Sequence, residues 1–323
     1  MACTLCGHKC RVDRMGGETG RCGAGKKVGF SSALIHPGEE PFLSGQTFSH
    51  NEDKIINGSG TIFFTRCNLS CVFCQNHQIS QSAQQGQDIE IDQLVEIMFR
   101  LAGAGAYNIN LVSPTPYAFE IAQALAIAKQ KGLKLPVVYN TGGYDSLEAL
   151  ALMEGLVDIY LPDAKIGRAP DADPQEPDAR ALRLFGARDY CEVNKAALRE
   201  MKRQVGHLEL NSQGLATKGL AVRHLVLPDN LARTDMLLGW LVENLGADLY
   251  LSLMAQYFPT NKLAVGYNPE FADMPGLGRP LSVREYERSM NQAWEMGLHN
   301  TFTQDLESAS KMLPDFTKEE VFN

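Results

Sequence analysis

From residue 61 onward, short apolar runs alternate with amphipathic stretches. Thr61–Thr65 (TIFFT), Asn108–Val112 (NINLV), Val137–Asn140, Val157–Leu161, Leu220–Leu227 and Asp248–Leu253 read as strands, uniformly apolar rather than alternating. Between the first two, a helix starts near Asp92 and carries Leu94, Val95, Ile97, Met98 and Leu101 at helical spacing until Gly103 and Gly105 stop it. An Ala-rich helix is predicted over Tyr117–Lys131, with Gly132 in the capping position, and further helices near 145–154, 189–205, 231–245 and 282–297. Strands separated by helices in this way argue for an α/β fold with a parallel sheet covered by helices on its outer face. The number of units fits a barrel or partial barrel, and a doubly wound open sheet shares the same periodicity.

Residues 1–57 lack this rhythm. They are Gly-rich, and we read them as a small N-terminal module preceding a barrel over 58–304 and a tail over 305–323. Arg168–Arg180 (RAPDADPQEPDAR) reads as a surface loop because of its prolines and mixed charge. Residues 255–281 show no periodic element and are expected over the ligand-binding end of the sheet.

Composition narrows the function classes. The 323 residues hold 30 Lys and Arg against 38 Asp and Glu, a net charge of −8, with no basic face to track a phosphate backbone. Nucleic acid is not an expected partner. No apolar run reaches the roughly 18 residues of a membrane span, and the chain opens without the basic start and apolar core of a signal peptide. The expectation is a soluble, cytoplasmic protein with no membrane association. Its eight cysteines lie at 3, 6, 10 and 22, at 67, 71 and 74, and alone at 191. Tight groups in such a compartment indicate metal rather than disulfides, and lone Cys191 reads as a plain thiol.

The most informative stretch leaves the end of the first strand: Cys67-Asn68-Leu69-Ser70-Cys71-Val72-Phe73-Cys74. Three thiolates at this spacing suit a four-iron cluster with one iron left open, the arrangement that separates a catalytic metal site from a closed structural one. Zinc held by the same cysteines with His77 is the alternative reading. Parallel α/β barrels build their active sites at strand ends of this kind.

With these residues in place, the sequence resembles the radical S-adenosylmethionine (SAM) superfamily, most closely the relatives of pyruvate formate-lyase activating enzyme and a longer branch of them. The resemblance runs from the N-terminal cysteines to the last helix. It implies a partial (β/α)6 TIM-like barrel with a small Cys-rich N-terminal extension, a [4Fe-4S] cluster on Cys67, Cys71 and Cys74, and SAM as cofactor. Phe73 matches the aromatic that lies against the adenine. Asn140-Thr141-Gly142-Gly143 is similar to a strand-end turn of the family, with Asn140 at the usual acidic position. Asp163-Ala164-Lys165 resembles an Asp-x-Lys near the SAM carboxylate, and Arg223 an arginine that contacts SAM; a cation opposite a carboxylate makes physical sense. Where many members carry Gly-Gly-Glu to hold the SAM amine, this chain has Ser113-Pro114-Thr115-Pro116, so the hydroxyls of Ser113 and Thr115 are the candidate acceptors.

The resemblance further implies reductive cleavage of SAM to a 5′-deoxyadenosyl radical, a low-potential electron donor of flavodoxin or ferredoxin type, and a glycyl radical protein as substrate. Modification of a small molecule or peptide is the other enzymatic reading. An iron–sulfur electron carrier is the non-enzymatic one. Cys3, Cys6, Cys10 and Cys22 provide thiolates for a second, closed site that suits zinc or an auxiliary [4Fe-4S] cluster. His36-Pro37-Gly38-Glu39-Glu40-Pro41 reads either as a solvated turn or as a group for proton transfer or substrate binding.

Overall fold

The computed structural model describes residues 2–45, 57–82, 85–169, 171–173, 178–263, 269–306, 314–318 and 321–322. Part of the expected 168–180 loop, part of 255–281 and the 46–56 join of module to barrel therefore lie outside the described residues.

In chain order the elements are β1 (Val28–His36), α1 (Pro41–Ser44), β2 (Gly58–Phe64), α2 (His77–Ser80), β3 (Gln87–Ile89), α3 (Ile91–Gly103), β4 (Ala106–Val112), α4 (Ala118–Gln130), β5 (Val137–Thr141) and α5 (Leu147–Met153). They continue with β6 (Ile159–Pro162), α6 (Ala179–Phe185), α7 (Tyr190–Val205), β7 (Glu209–Leu210), β8 (Ala216–Leu225), α8 (Thr234–Leu245), β9 (Tyr250–Met254), α9 (Val283–Glu295) and β10 (Thr301–Thr303). Each predicted strand and helix of the barrel is present within a few residues of its expected ends. Local signals account for several: Glu90 and Gln93 form a reciprocal capping box at the start of α3, and Ser282 with Glu285 does the same for α9.

The sheet runs in the order β10-β9-β8-β6-β5-β4-β2-β1-β3 and does not close on itself. From β2 to β10 the neighbours are parallel, while β1 and β3 extend the β2 edge antiparallel. β1 lies in the segment that periodicity left without structure. It pairs with β2 from Phe30–Phe64 to His36–Ser59, so residues 28–36 are part of the same sheet as the barrel strands.

Helices α3, α4, α5, α7, α8 and α9 pack on one face of this sheet. Ile62, Ile109, Leu111, Tyr139, Tyr160, Leu220, Val222, Leu251 and Leu253 share a core with their apolar sides. The opposite face is covered by Phe42 and Leu43 of α1, which pack on Val138, Ile159, Leu161 and Ala221. One-sided helical cover selects the partial barrel over the doubly wound sheet.

The expectation of uniformly apolar strands needs correction. Inward positions include Ser59, Thr61, Asn108, Asn110, Asn140, Arg223 and Ser252, all on the face away from the helices; all but Arg223 are buried. Their polarity has a use. Asn108 Nδ2 donates to the Leu43 carbonyl at 2.8 Å and its Oδ1 accepts from Ser59 Oγ at 2.7 Å, so the strap from β1 to α1 is anchored inside the barrel. No helix among the described residues is long and apolar enough to cross a membrane.

Candidate active site

The chain leaves β2 through Arg66, whose φ of 65° turns it sharply into the cysteine loop. The turn is held by the Arg66 amide on the Ile79 carbonyl (2.7 Å) and the guanidinium on Tyr117 Oη (3.1 Å). The loop is then pinned from every side. Ser70 and Val72 amides donate to Phe185 and Leu184 carbonyls of α6 (3.0 Å each), Asn68 Nδ2 donates to the Tyr144 carbonyl (3.0 Å), and Gln81 Nε2 to the Cys71 carbonyl (2.8 Å). With its backbone groups satisfied, the loop can point three thiols into one space.

That space is a cavity of about 210 Å³ at the C-terminal ends of the parallel strands. Cys67, Cys71 and Cys74 line it together with Phe73, Ser113, Asn140, Asp163, Lys165 and Arg223. Burial pushes the Cys67 thiol up to about 11 and the Cys71 thiol to about 12, and the Lys165 charge works in the opposite direction. The Leu69 amide lies 3.4 Å from Cys67 Sγ and Ser80 Oγ lies 3.2 Å from Cys74 Sγ. Half-buried thiols facing a cation and nearby donors fit thiolate ligation of a cluster. Among the described residues no three Cys, His, Asp or Glu side chains are grouped to hold a single metal ion. His77 Nδ1 lies 3.0 Å from the Cys74 carbonyl oxygen, so its ring braces the loop.

Phe73 is buried edge-on between Phe185 (centroids 6.0 Å) and Tyr257 (5.4 Å), with one side on the cavity. Lys165 is ion-paired with Asp163; burial alone would lower its ammonium, but Asp163 and the neighbouring thiols hold it above its ordinary value. Ser113 takes a left-handed conformation (φ 60°) with its amide on the Asn140 carbonyl (2.9 Å). Such a conformation costs a β-carbon-bearing residue about 1 kcal/mol or more, and here it presents Ser113 to the cavity beside Cys67.

Thr115 does not stand on the cavity wall. Its hydroxyl binds Asp145 Oδ1 (2.7 Å) and Thr141 Oγ1 (3.0 Å). Asp145, which the sequence reading passed over, also accepts from Thr141 (2.7 Å) and Tyr139 (3.2 Å) and ties the ends of β4 and β5 together. Tyr190 and Asn194 of α7 likewise act on turns distant in sequence, which no local pattern signals. Tyr190 Oη reaches the Gly142 and Asp163 carbonyls (2.8 and 3.0 Å), and Asn194 Nδ2 the Gly143 and Asp163 carbonyls (2.9 Å each). These residues set the two turns that carry Asn140 and Lys165.

Arg223 has partners from an unexpected quarter. Its guanidinium binds Glu39 and Glu40, with Nε 2.6 Å from Glu40 Oε1, and lies 3.3 Å from Asn140 Oδ1. Burial alone would lower Arg223, but the two carboxylates hold it above its ordinary value; in return Arg223 outweighs burial at Glu40 and lowers its carboxyl. Of the two readings of the His36–Pro41 turn, the solvated one is thus corrected. Glu39 and Glu40 point inward and line a second chamber of about 780 Å³ adjoining the thiols.

One comparison with known proteins, the family match, falls on this geometry. Residues 61–169 match the Radical SAM superfamily. The matched stretch contains the cysteine loop and the strand ends after β4, β5 and β6. A protein of Methanocaldococcus jannaschii described as uncharacterized is 27% identical over 311 residues, covering 92% of this chain and 75% of that protein. Among solved structures, Streptococcus suis SuiB bound to precursor peptide SuiA gives a TM-score of 0.47 at 17% identity, covering 79% of this chain and 51% of that one. Methylornithine synthase gives 0.43 at 16%, covering 80% and 72%. The chain thus spans about half the length of SuiB.

The N-terminal thiols form a separate group. Burial pushes the Cys6 thiol up to about 12, and Cys22, Cys10 and Cys3 lie near enough to add to that. The Arg21 amide donates to Cys10 Sγ at 3.4 Å. The group is joined to the active site through His8, whose Nε2 lies 2.9 Å from the Asn68 carbonyl oxygen, and through an isolated bridge between Cys6 and Asp145. Cys191 is buried in the core, as expected of a plain thiol.

Proposed function

We propose that this chain is a radical SAM enzyme that binds a [4Fe-4S] cluster through Cys67, Cys71 and Cys74 and abstracts a hydrogen atom from a substrate in the adjoining chamber. The convergence of three half-buried thiols on one cavity beside Lys165, within the matched stretch, carries this reading. Held by these three thiolates, a [4Fe-4S] cluster would supply the electron for reductive cleavage of SAM to methionine and a 5′-deoxyadenosyl radical. The chain does the positioning. Lys165 offers its ammonium to the SAM carboxylate, Phe73 its ring to the adenine, and Ser113 with the Asn140 side chain offers acceptors to the SAM amine. Thr115 supports this from behind through Asp145. The buried walls keep water from the reacting atoms.

The resemblance to activating enzymes makes the α-hydrogen of a glycine in a partner protein one substrate, with a flavodoxin- or ferredoxin-type donor as reductant. The second chamber favours the other reading, a small molecule, because it carries charged groups of its own beside the SAM cavity. For the N-terminal thiols we propose that zinc or an auxiliary cluster would draw them together, since an all-thiolate set suits either and the four do not already stand around one metal position. Anaerobic reconstitution with iron and sulfide followed by measurement of 5′-deoxyadenosine tests the main reading. Production by the wild type and its loss in Cys67→Ala are expected; a wild type that binds a cluster without cleaving SAM is an electron carrier instead. A glycyl radical signal on an added protein would assign the partner.

A further inference from the structure

The chamber beside the thiols has a charge imbalance built into its floor. Glu39 and Glu40 face a single guanidinium, Arg223, and all three line the chamber. The carboxylate side chains are only 8% and 6% exposed, so solvent does little to offset the second negative charge. Asn110 Nδ2 gives Glu39 one neutral hydrogen bond at 3.0 Å. No second cationic side chain pairs with either carboxylate among the described residues.

An independent feature lies a few residues earlier in the same strap. His36 lines the chamber, is 7% exposed and stacks on Phe322 with ring centroids 4.1 Å apart. Its Nδ1 is buried without a hydrogen-bond partner among the described residues. Burial lowers the imidazole from its ordinary value, which keeps the ring neutral and leaves one nitrogen able to accept. A buried acceptor without a donor is costly unless a ligand supplies one. A carboxylate in excess of the one guanidinium charge and an imidazole nitrogen without a hydrogen-bond partner, in a chamber that shares Asn140, Arg223, Met254 and Gln256 with the thiol-lined cavity, describe a receptor for a cation.

We propose that the chamber binds the primary ammonium group of a small-molecule substrate, received by the Glu39 carboxylate and the His36 ring nitrogen, with Glu40 retained by Arg223. This rests on the reading above that the chamber holds the substrate, and it names that substrate's class. An ammonium has three donors and one charge, matching the surplus carboxylate and the unpartnered nitrogen.

Calorimetric titration of the anaerobically reconstituted full chain with SAM, using n-butylammonium, 1-butanol and butyrate as probes of equal size and different charge, tests it. The expected result is a preference for butylammonium of about tenfold or more over butanol. In Glu39→Gln the preference should fall to near unity without a drop in Tm, since Glu40 still neutralises Arg223. A purely structural Glu39 predicts the opposite pattern, a lower Tm with the preference intact. Should Glu39→Gln not fold, His36→Phe keeps the stacking on Phe322 and should lose part of the preference. The proposal is overturned if butylammonium does not bind, if butanol or butyrate binds as tightly, or if the preference survives both substitutions. The 5′-deoxyadenosine assay is read separately. Cleavage without an ammonium preference overturns this assignment alone, and a preference without cleavage supports it while overturning the enzymatic reading.

Discussion

Two groups of cysteines in one chain have different surroundings. Cys67, Cys71 and Cys74 line a cavity, face a lysine and sit on a loop held to α6, Tyr144 and Gln81. Cys3, Cys6, Cys10 and Cys22 are half-buried to the same degree but lie on short turns, with Arg21 beside Cys10 and the other three near Cys6. A thiol's spacing says that it can ligate; the room beside it says whether a ligated metal keeps an open position. The first group has that room and the second is placed to brace it through His8 and Asn68.

The comparison breaks most visibly at the ligands themselves. Cys71→Ala is expected to reduce 5′-deoxyadenosine to background and to abolish the cluster's visible absorption, whereas Cys10→Ser should lower the metal content yet leave cleavage above background. Equal losses would make the two groups one functional unit. Next comes the cation beside the thiols. Lys165→Met should weaken SAM binding about 10- to 100-fold, the worth of a charge-assisted hydrogen bond, with the cluster still assembled. Titration of SAM against the reconstituted variant reads this directly.

Smaller effects concern the frame. Glu40→Gln leaves Arg223 with Glu39 alone, and a loss of about 2–3 kcal/mol in denaturant unfolding is expected, below the usual 3–5 for a fully broken buried pair. The sign of the pH dependence follows from the lowered Glu40 carboxyl. Its contribution is fully present above the ordinary value of 4.5 and is lost as pH falls below that toward the folded value, so the variant should show a flatter stability profile on the acid side. Thr115→Val should cost about 1 kcal/mol of stability while SAM affinity stays unchanged, because its hydroxyl serves Asp145. A fall in SAM affinity would return Thr115 to the amine.

Much of the fold was legible because its signals are local. The core strands, the intervening helices and the cysteine loop each occupy a contiguous stretch whose periodicity or spacing speaks for itself. β1 was not, since its partners lie across a turn of the sheet and its own pattern is mixed. Nor was the inward polarity of Asn108 and Asn110, which makes sense only once α1 and Glu39 are seen against them. Gly143 shows both sides. Its place in a strand-end turn was readable, but only the structure shows a φ of 72° and the Asp163 carbonyl 2.1 Å from where a β-carbon would sit.

By itself, the sequence determined an α/β chain with three clustered thiols at a strand end, and by resemblance the chemistry they would support. Ligand spacing within eight residues and helical periodicity within fifteen are short-range properties that survive without knowledge of the rest. The tertiary structure alone decided that Glu40 meets Arg223 across 183 residues, that Thr115 turns to Asp145, and that a charged chamber opens beside the thiols. Such pairings depend on the order of strands in the sheet, and the burial that makes them strong exists only after that order is set.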